Sequence, residues 1–418
     1  MKVAVIGSGI IGVTTAYHLL KEGHEVVLID AAEPGAGSSH GNAGWIVPSD
    51  SGPVASAGMI IQGLKWMLRK DSPLYVKPSL RPQHVGFMLA MARHCTRGDF
   101  RQAFRANLRL AGETIGLLDA YQSDGVRFEM HKQGLIMAFS STRGLRHHRM
   151  DLDITQDAGL APHVMTGPEL AEREPALAPS LAGGIYFPLE RHVRPDTLMS
   201  ALVARCTELG ATFVNQSAVI DVRRSGSQIT RVLTTTAEVE ADQFLLAAGA
   251  HSGPLSALFG TRLPVRPGKG YSVDFCPAPV ELKAIVYLAE ARVAITPLAG
   301  AVRLAGTMEF AGLDTKINPS RVAAIRNAPR RYLVDATWTD TAHSAPPWAG
   351  ARPMTPDGMP ILGLFPRTTN AWIATGHGML GLTMGPATGQ AVAEAIIQGS
   401  MTERLRPFDP ARFDRHTP

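Results

Sequence analysis

Residues 2–30, KVAVIGSGIIGVTTAYHLLKEGHEVVLID, restrict the fold more than any other stretch of the chain. An apolar strand, Val3 to Ile6, runs into Gly7-Ser8-Gly9-Ile10-Ile11-Gly12. A helix-length segment follows, and a second apolar strand, Val26 to Ile29, ends on Asp30. This is a βαβ unit with glycines where a dinucleotide needs them. Gly7 permits the tight turn, Gly9 lets the backbone approach a pyrophosphate, and Gly12 lets the helix pack close to the strand. The amides and dipole of the helix start, at Ile10 and Ile11, attract phosphate. Asp30 lies 18 residues beyond Gly12, at the right distance to accept hydrogen bonds from a ribose hydroxyl. NAD and FAD share the adenosine-diphosphate portion, and this motif alone leaves both open.

A chain of 418 residues exceeds the usual single-core limit, so two domains, or one with a large insertion, are expected. Net charge is +5 and the basic residues are dispersed, which argues against nucleic acid as a partner. Cys95, Cys206 and Cys276 form no CxxC pair and no disulfide framework, which fits a reducing compartment. The 14 histidines show no metal-ligand spacing, so no metal is expected. With a strand from Val3, no signal peptide is expected, and no apolar run is long enough for a membrane span. The expected location is the cytoplasm.

Residues 54–70, VASAGMIIQGLKWMLRK, read as a basic amphipathic helix. Burial of its apolar face is the favoured reading. Peripheral contact with the inner face of the cytoplasmic membrane, or with a partner, is the alternative. Residues 84–122 read as two further helices forming an inserted segment. Residues 264–310 are β-rich without flanking helices, which predicts an antiparallel sheet in a second domain. Near the C-terminus, NAWIATGHGMLGLTMGPATGQAVAEAIIQG reads as strand, glycine-rich turn and long apolar helix. Two glycine-rich helix starts far apart in sequence suggest one extended cofactor held at both ends. FAD fits this better than NAD, and an NAD-dependent dehydrogenase with one Rossmann domain is the alternative the second helix start opposes. Free amides around Gly378 to Thr383 would face the flavin and stabilise negative charge on its reduced form.

GSGIIG with Asp30, SSHGNAG, LLAAGAHS, PGKGYS, VRLAGTMEFAG, WAGARPMTPDGMPILG and ATGHGMLGLTMGPATGQ together resemble the FAD-dependent D-amino acid dehydrogenases. That group lies within the D-amino acid oxidase and glycine oxidase superfamily, and the resemblance runs in order along nearly the whole chain. It implies an α/β (α+β overall) fold. A discontinuous Rossmann-type FAD-binding domain (1–50, 141–260 and 336–418) would interleave with an antiparallel-sheet substrate domain and helical insertion (51–140 and 261–335). It also implies oxidation of the Cα–N bond of a D-amino acid to an imine, with hydride passing to flavin N5. D-proline or hydroxy-D-proline is one substrate type considered, and a quinone or other acceptor would take the electrons. The alternative is a glycine- or sarcosine-type amine oxidase that uses oxygen.

By the same resemblance, Arg352 anchors the substrate carboxylate through its planar guanidinium, against the simpler role of an arginine paired with Asp357. His377 sits near the flavin. Asn42, Ala43 and Gly44 lie along it, and Ser38 and Ser39 lie near the pyrophosphate. Val219 brackets the adenine, and Ala248 and Gly249 belong to the LLAAGAHS turn. Gly376, Gly378, Leu380, Gly381 and Thr383 belong to the flavin end. A tyrosine that relatives carry before AIT is replaced by Ala291, with Tyr287 nearby. Pro353 and Met354 stand where sarcosine oxidases tether flavin to cysteine, so the FAD should be non-covalent.

Overall fold

The computed structural model describes residues 1–56, 74–77, 79 and 81–416. Six strands form one sheet in the order Thr212–Val214, Glu25–Ile29, Lys2–Ile6, Gln243–Leu246, Ala371–Thr375 and Ile361–Leu364. The first five run parallel, and the last is antiparallel to its neighbour. Alternation along each strand sorts the side chains. Val3, Val5, Val26 and Leu28 pack with the first helix, Ile10–Lys21, and the long C-terminal helix, Gly381–Gln398. Ala4, Ile6, Val27 and Ile29 point the other way, onto Val222, Ile229 and Val232 of an antiparallel three-stranded meander. Burial on both faces is why these strands read as continuous apolar runs. Each fully buried Val or Ile contributes about 1.5–3 kcal/mol.

Both helices start at the carboxyl ends of parallel strands, so their N-termini open towards the same end of the sheet. They also approach each other closely. A Cβ on Gly385 would sit 2.8 Å from the Ile10 side chain, and one on Gly389 would sit 2.5 Å from Thr14 Oγ1. The Thr14 hydroxyl donates to the Gly385 carbonyl at 3.0 Å.

A second, nine-stranded sheet runs in the order Trp348–Met354, Arg266–Phe275, Ala301–Phe310, Val293–Leu298, Ile285–Leu288, Leu135–Phe139, Gly183–Phe187 and His163–Met165, with Leu74–Val76 also pairing with Ala301–Phe310. The strands of 264–310 pair antiparallel with one another. Parallel pairs arise only where Leu135–Phe139 and Leu74–Val76 join them.

Three expectations meet a different arrangement. Gly183–Phe187 and His163–Met165 fall within 141–260, the stretch expected beside the Rossmann unit, yet they pair in the nine-stranded sheet. So does Trp348–Met354 from 336–418. Trp348–Met354 pairs with Arg266–Phe275 and Gly183–Phe187 with Leu135–Phe139, while His163–Met165 joins only through Gly183–Phe187, so local pattern gave no sign of the sheet they enter. Residues 84–122 contain three helices rather than two: Pro82–Arg93, Arg97–Ala111 and Thr114–Ser123. The Thr96 side chain caps the second by accepting from the Asp99 amide. The amphipathic reading of 54–70 lies outside the described residues apart from 54–56. Among the described residues no helix is long and apolar enough to cross a membrane.

Candidate active site

A cavity of about 780 Å³ lies between the carboxyl ends of the parallel strands and the nine-stranded sheet. Gly7, Gly9, Ile10 and Ile11 line one end of it. Gly7 has φ 108°, and a Cβ there would sit 2.4 Å from the Ala247 carbonyl oxygen. Gly9 is the N-cap of the first helix, whose first turn carries no acid. Ser39 Oγ accepts from the Ile10 amide at 3.0 Å. Gly12 does not line the cavity. Its missing Cβ would lie 1.9 Å from the Gly7 carbonyl, so its role is helix-to-turn packing. Asp30 lines the cavity and fastens this turn, accepting from the Ser8 amide at 2.7 Å, the Ser8 hydroxyl at 2.8 Å and the Ala32 amide at 2.9 Å. Val219 lines the same end.

Ala248 and Gly249 also line the cavity. At the far end lie Gly378, Leu380, Gly381 and Thr383. Not all amides from Gly378 to Thr383 are free as expected: Gly378 donates to Pro353 O at 2.9 Å and Leu380 to His377 O at 2.8 Å. The helix start itself has no side-chain cap and no acid in its first turn, which leaves the amides from Gly381 for an electron-rich group. Gly376 stands behind this wall: its φ is 82°, and a Cβ would lie 2.6 Å from the Thr355 side chain.

The small-residue loop after Asp30 binds the two sheets together. Ser38 donates to the Ala351 carbonyl at 2.6 Å. Ser272, Arg303 and Thr296 of the nine-stranded sheet donate to the carbonyls of Gly41, Asn42 and Ala43 at 2.7, 2.7 and 2.8 Å. Gly41 is held against Trp348, where a Cβ would lie 2.3 Å from the indole. The Asn42 side chain closes the loop internally, donating to Ser38 O and accepting from the Gly44 amide. Ser38, Ser39, Asn42 and Ala43 line the cavity, whereas Gly44, φ 76°, packs against the Val193 carbonyl outside it.

These features suit FAD. Two helix starts without acids in their first turns offer amide donors to an anionic, elongated group, Ser39 taking only the one at Ile10, and glycines keep the walls thin. None of the three cysteines lines the cavity.

The nine-stranded sheet supplies the side chains. Arg352 reaches the cavity from Trp348–Met354, with Nη1 donating to the Thr307 carbonyl at 2.7 Å. It makes no ion pair among the described residues, and Asp357 is taken by Arg412 at 2.8 Å. Burial pushes the guanidinium down to about 10, which leaves it a cation at neutral pH. Gly270 makes room for it, since a Cβ there would lie 2.1 Å from Nη2. Opposite Gly270 the strand pairing slips, with Lys269 facing Glu309 and Tyr271 facing Gly306. Thr307 occupies the slip with φ 62°, a strained conformation that sets its carbonyl beside Arg352.

His377 is buried on the cavity wall, and its Nε2 lies 3.1 Å from Thr388 Oγ1. Burial drives it down to about 3, so it is neutral around pH 7. Ala291 packs into the core of the large sheet, and Tyr287 lines the cavity edge-on to Trp45. Asp50, Arg292, Trp348, Gly270 and Thr307 also line it, and motif reading singled out none of them. The tight packing at Gly41, Gly270 and Gly350 was signalled only as GNAG, GKG and AGA.

The fold and site agree with comparisons to known proteins. A protein named D-amino acid dehydrogenase from Rhizorhabdus wittichii is 33% identical over 407 residues, covering 95% of this chain and 96% of that one. The crystal structure of glycine oxidase from Geobacillus kaustophilus superposes with a TM-score of 0.77 at 23% identity, covering 98% of each chain. That of L-proline dehydrogenase from P. horikoshii also gives 0.77, at 21% identity over 99% and 98% of the chains. The model of the DAO family, FAD dependent oxidoreductase, matches residues 2–395. A match of that extent, over a cavity with amide donors at both ends, places the chain in the FAD dependent oxidoreductase family.

Proposed function

We propose that this enzyme is a dehydrogenase of a D-amino acid, of the D-proline or hydroxy-D-proline type, that passes its electrons to a quinone or another acceptor. The observation that carries the reading is Arg352: a cation on the cavity wall, without a carboxylate partner among the described residues, facing a space large enough for cofactor and substrate. The name of the Rhizorhabdus wittichii relative, D-amino acid dehydrogenase, supports the D-series. Bound FAD supplies a two-electron acceptor for the hydride of the substrate α-carbon.

The protein's part is binding and aim. Arg352 grips the substrate carboxylate with two parallel N–H donors. Its third direction is fixed by the Thr307 carbonyl, and Gly270 seats the guanidinium plane. A carboxylate so held presents one face of its α-carbon, and positioning of this kind supplies much of the rate. Val54, Met308 and Leu313 give the cavity an apolar lining that keeps out water. Neutral His377 adds no charge beside the reacting carbon. We place the reaction in the cytoplasm; the alternative reading of residues 54–70, peripheral contact with the membrane, would bring the enzyme near a quinone.

The test is an anaerobic panel of D- and L-amino acids, including proline and hydroxyproline, read by bleaching of the flavin. D-isomers are expected to bleach it and L-isomers to leave it oxidised. Turnover with an artificial dye should exceed turnover with oxygen. Reduction by L-isomers alone, or hydrogen peroxide formed at the full turnover rate, contradicts the proposal.

A further inference from the structure

Beyond Arg352 the cavity wall carries a second charged group that neither the cofactor nor a substrate carboxylate explains. Asp50 ends the short turn Pro48–Asp50 and lines the cavity with Tyr287 and Arg292. Its carboxylate accepts no hydrogen bond among the described residues. A carboxylate in that position calls for a donor.

The turn holds Asp50 in place. The Asp50 amide donates to the Val47 carbonyl at 3.0 Å, and the Ser51 amide donates to Pro48 O at 3.1 Å. Buried Glu190 accepts from the Ser49 amide at 2.9 Å, and the Asn107 side chain donates to Ser51 O at 3.1 Å. The titratable groups around Asp50 are Arg292, Tyr287 and Glu190, and His148 lies near Arg292 in turn. From the helix beneath, Phe104 and Asn107 meet the turn, while Arg105 and Arg109 are exposed. Burial raises Asp50 to about 6 and Glu190 to about 8. Above neutrality Asp50 is therefore an anion, backed by a carboxylic acid that largely keeps its proton until about pH 8.

Tyr287 lies within electrostatic reach of Arg352, Arg292 and Asp50, and all four line the same cavity. One ligand can therefore meet Arg352 together with the Asp50–Arg292 pair. We propose that Asp50 is the specificity-determining residue of this cavity, accepting a hydrogen bond from a hydroxyl on the substrate side chain while Arg352 holds the carboxylate. This rests on the D-amino acid dehydrogenase reading above. A hydroxyl suits Asp50, because it is a neutral donor to the carboxylate. A side-chain ammonium meets the like charge of Arg292, and an apolar side chain leaves the Asp50 carboxylate desolvated and unpaired.

The test uses holoenzyme at pH 8, with anaerobic flavin bleaching to separate substrate dissociation constant from reduction rate. Matched pairs are D-proline with 4-hydroxy-D-proline and D-alanine with D-serine; D-ornithine forms the ammonium arm. Wild type is expected to prefer the hydroxylated member of each pair. Asp50→Leu should lose about 10- to 100-fold in affinity for the hydroxylated member and bind the plain member at least as tightly as wild type, because the unpaired carboxylate is gone. Asp50→Asn, which keeps an acceptor oxygen, should fall between. Flavin content and melting temperature should match wild type in both variants. A hydroxylated-to-plain ratio unmoved by either variant, or a wild-type preference for D-ornithine, overturns the assignment while leaving the dehydrogenase reading intact. A wild type whose flavin no D-amino acid bleaches overturns that reading instead.

Discussion

The two walls of the cavity work by different chemistry. The wall formed by the six-stranded sheet presents backbone: glycines at Gly7 and Gly9, and the amides of two helix starts, of which that of Ile10 is already held by Ser39. The opposite wall presents side chains: Arg352 and Tyr287 from the nine-stranded sheet, Arg292 from the turn before Val293–Leu298, and Asp50 from the turn Pro48–Asp50. A backbone site needs only that nothing intrude, so it tolerates any cofactor sharing the same phosphates. A side-chain site must place charge at chosen points, so it can discriminate among substrates. Substitutions on the two walls should therefore fail in opposite ways.

The largest expected effect is on the side-chain wall. Arg352→Leu should lower kcat/KM by about 1000-fold or more, the value of two charge-assisted hydrogen bonds. FAD per protein should stay unchanged. Gly12→Ala should show the reverse signature. Its Cβ would lie 1.9 Å from the Gly7 carbonyl, a clash with backbone that cannot be relieved by a side-chain rotation. A destabilisation of about 3 kcal/mol and loss of FAD are expected, checked by thermal unfolding and flavin absorbance. If Gly12→Ala retained FAD while losing substrate affinity, the division between the walls would fail.

A pH experiment sharpens the comparison further. Folding raises the Glu190 carboxyl from its ordinary 4.5 to about 8. Between those values the native state holds a proton that the unfolded chain has released. Stability from this group is thus greatest below about pH 4.5, declines as pH rises, and carries the full penalty above about pH 8. Glu190→Gln should raise stability at pH 9 by about 2 kcal/mol relative to wild type and change it little at pH 5. Denaturant unfolding at the two pH values checks this. The smallest effect should come from Thr388→Val, which removes the partner 3.1 Å from His377 Nε2. A cost of about 1 kcal/mol is expected, with the pH profile of turnover unaltered because His377 stays neutral. A displaced pH profile would give His377 a proton-transfer role.

The backbone wall was readable in sequence because its signal is local. Strand, glycines, helix and Asp30 fall within one 29-residue stretch, and spacing alone conveys their geometry. Even there, Gly12, Gly44 and Gly376 turned out to face packed backbone or side chains rather than the cavity. The side-chain wall was largely hidden. Arg352 was legible only through resemblance, since its neighbours Gly270 and Thr307 lie tens of residues away and meet it through strand register. Asp50 and Arg292 are 242 positions apart, and nothing in the local pattern around either reports the other. The same reason explains Gly183–Phe187, which pairs with Leu135–Phe139, and His163–Met165, which joins only through Gly183–Phe187.

The central claim is that Arg352 forms a carboxylate site next to a separately held flavin. Its most direct measurement is equilibrium binding of a non-oxidisable carboxylate, acetate, followed through the absorption of the bound flavin in wild type and in Arg352→Leu. Acetate should perturb the wild-type flavin and compete with substrate, while the variant, with its full complement of FAD, should show no saturable perturbation. Equal acetate binding by both proteins would contradict the account.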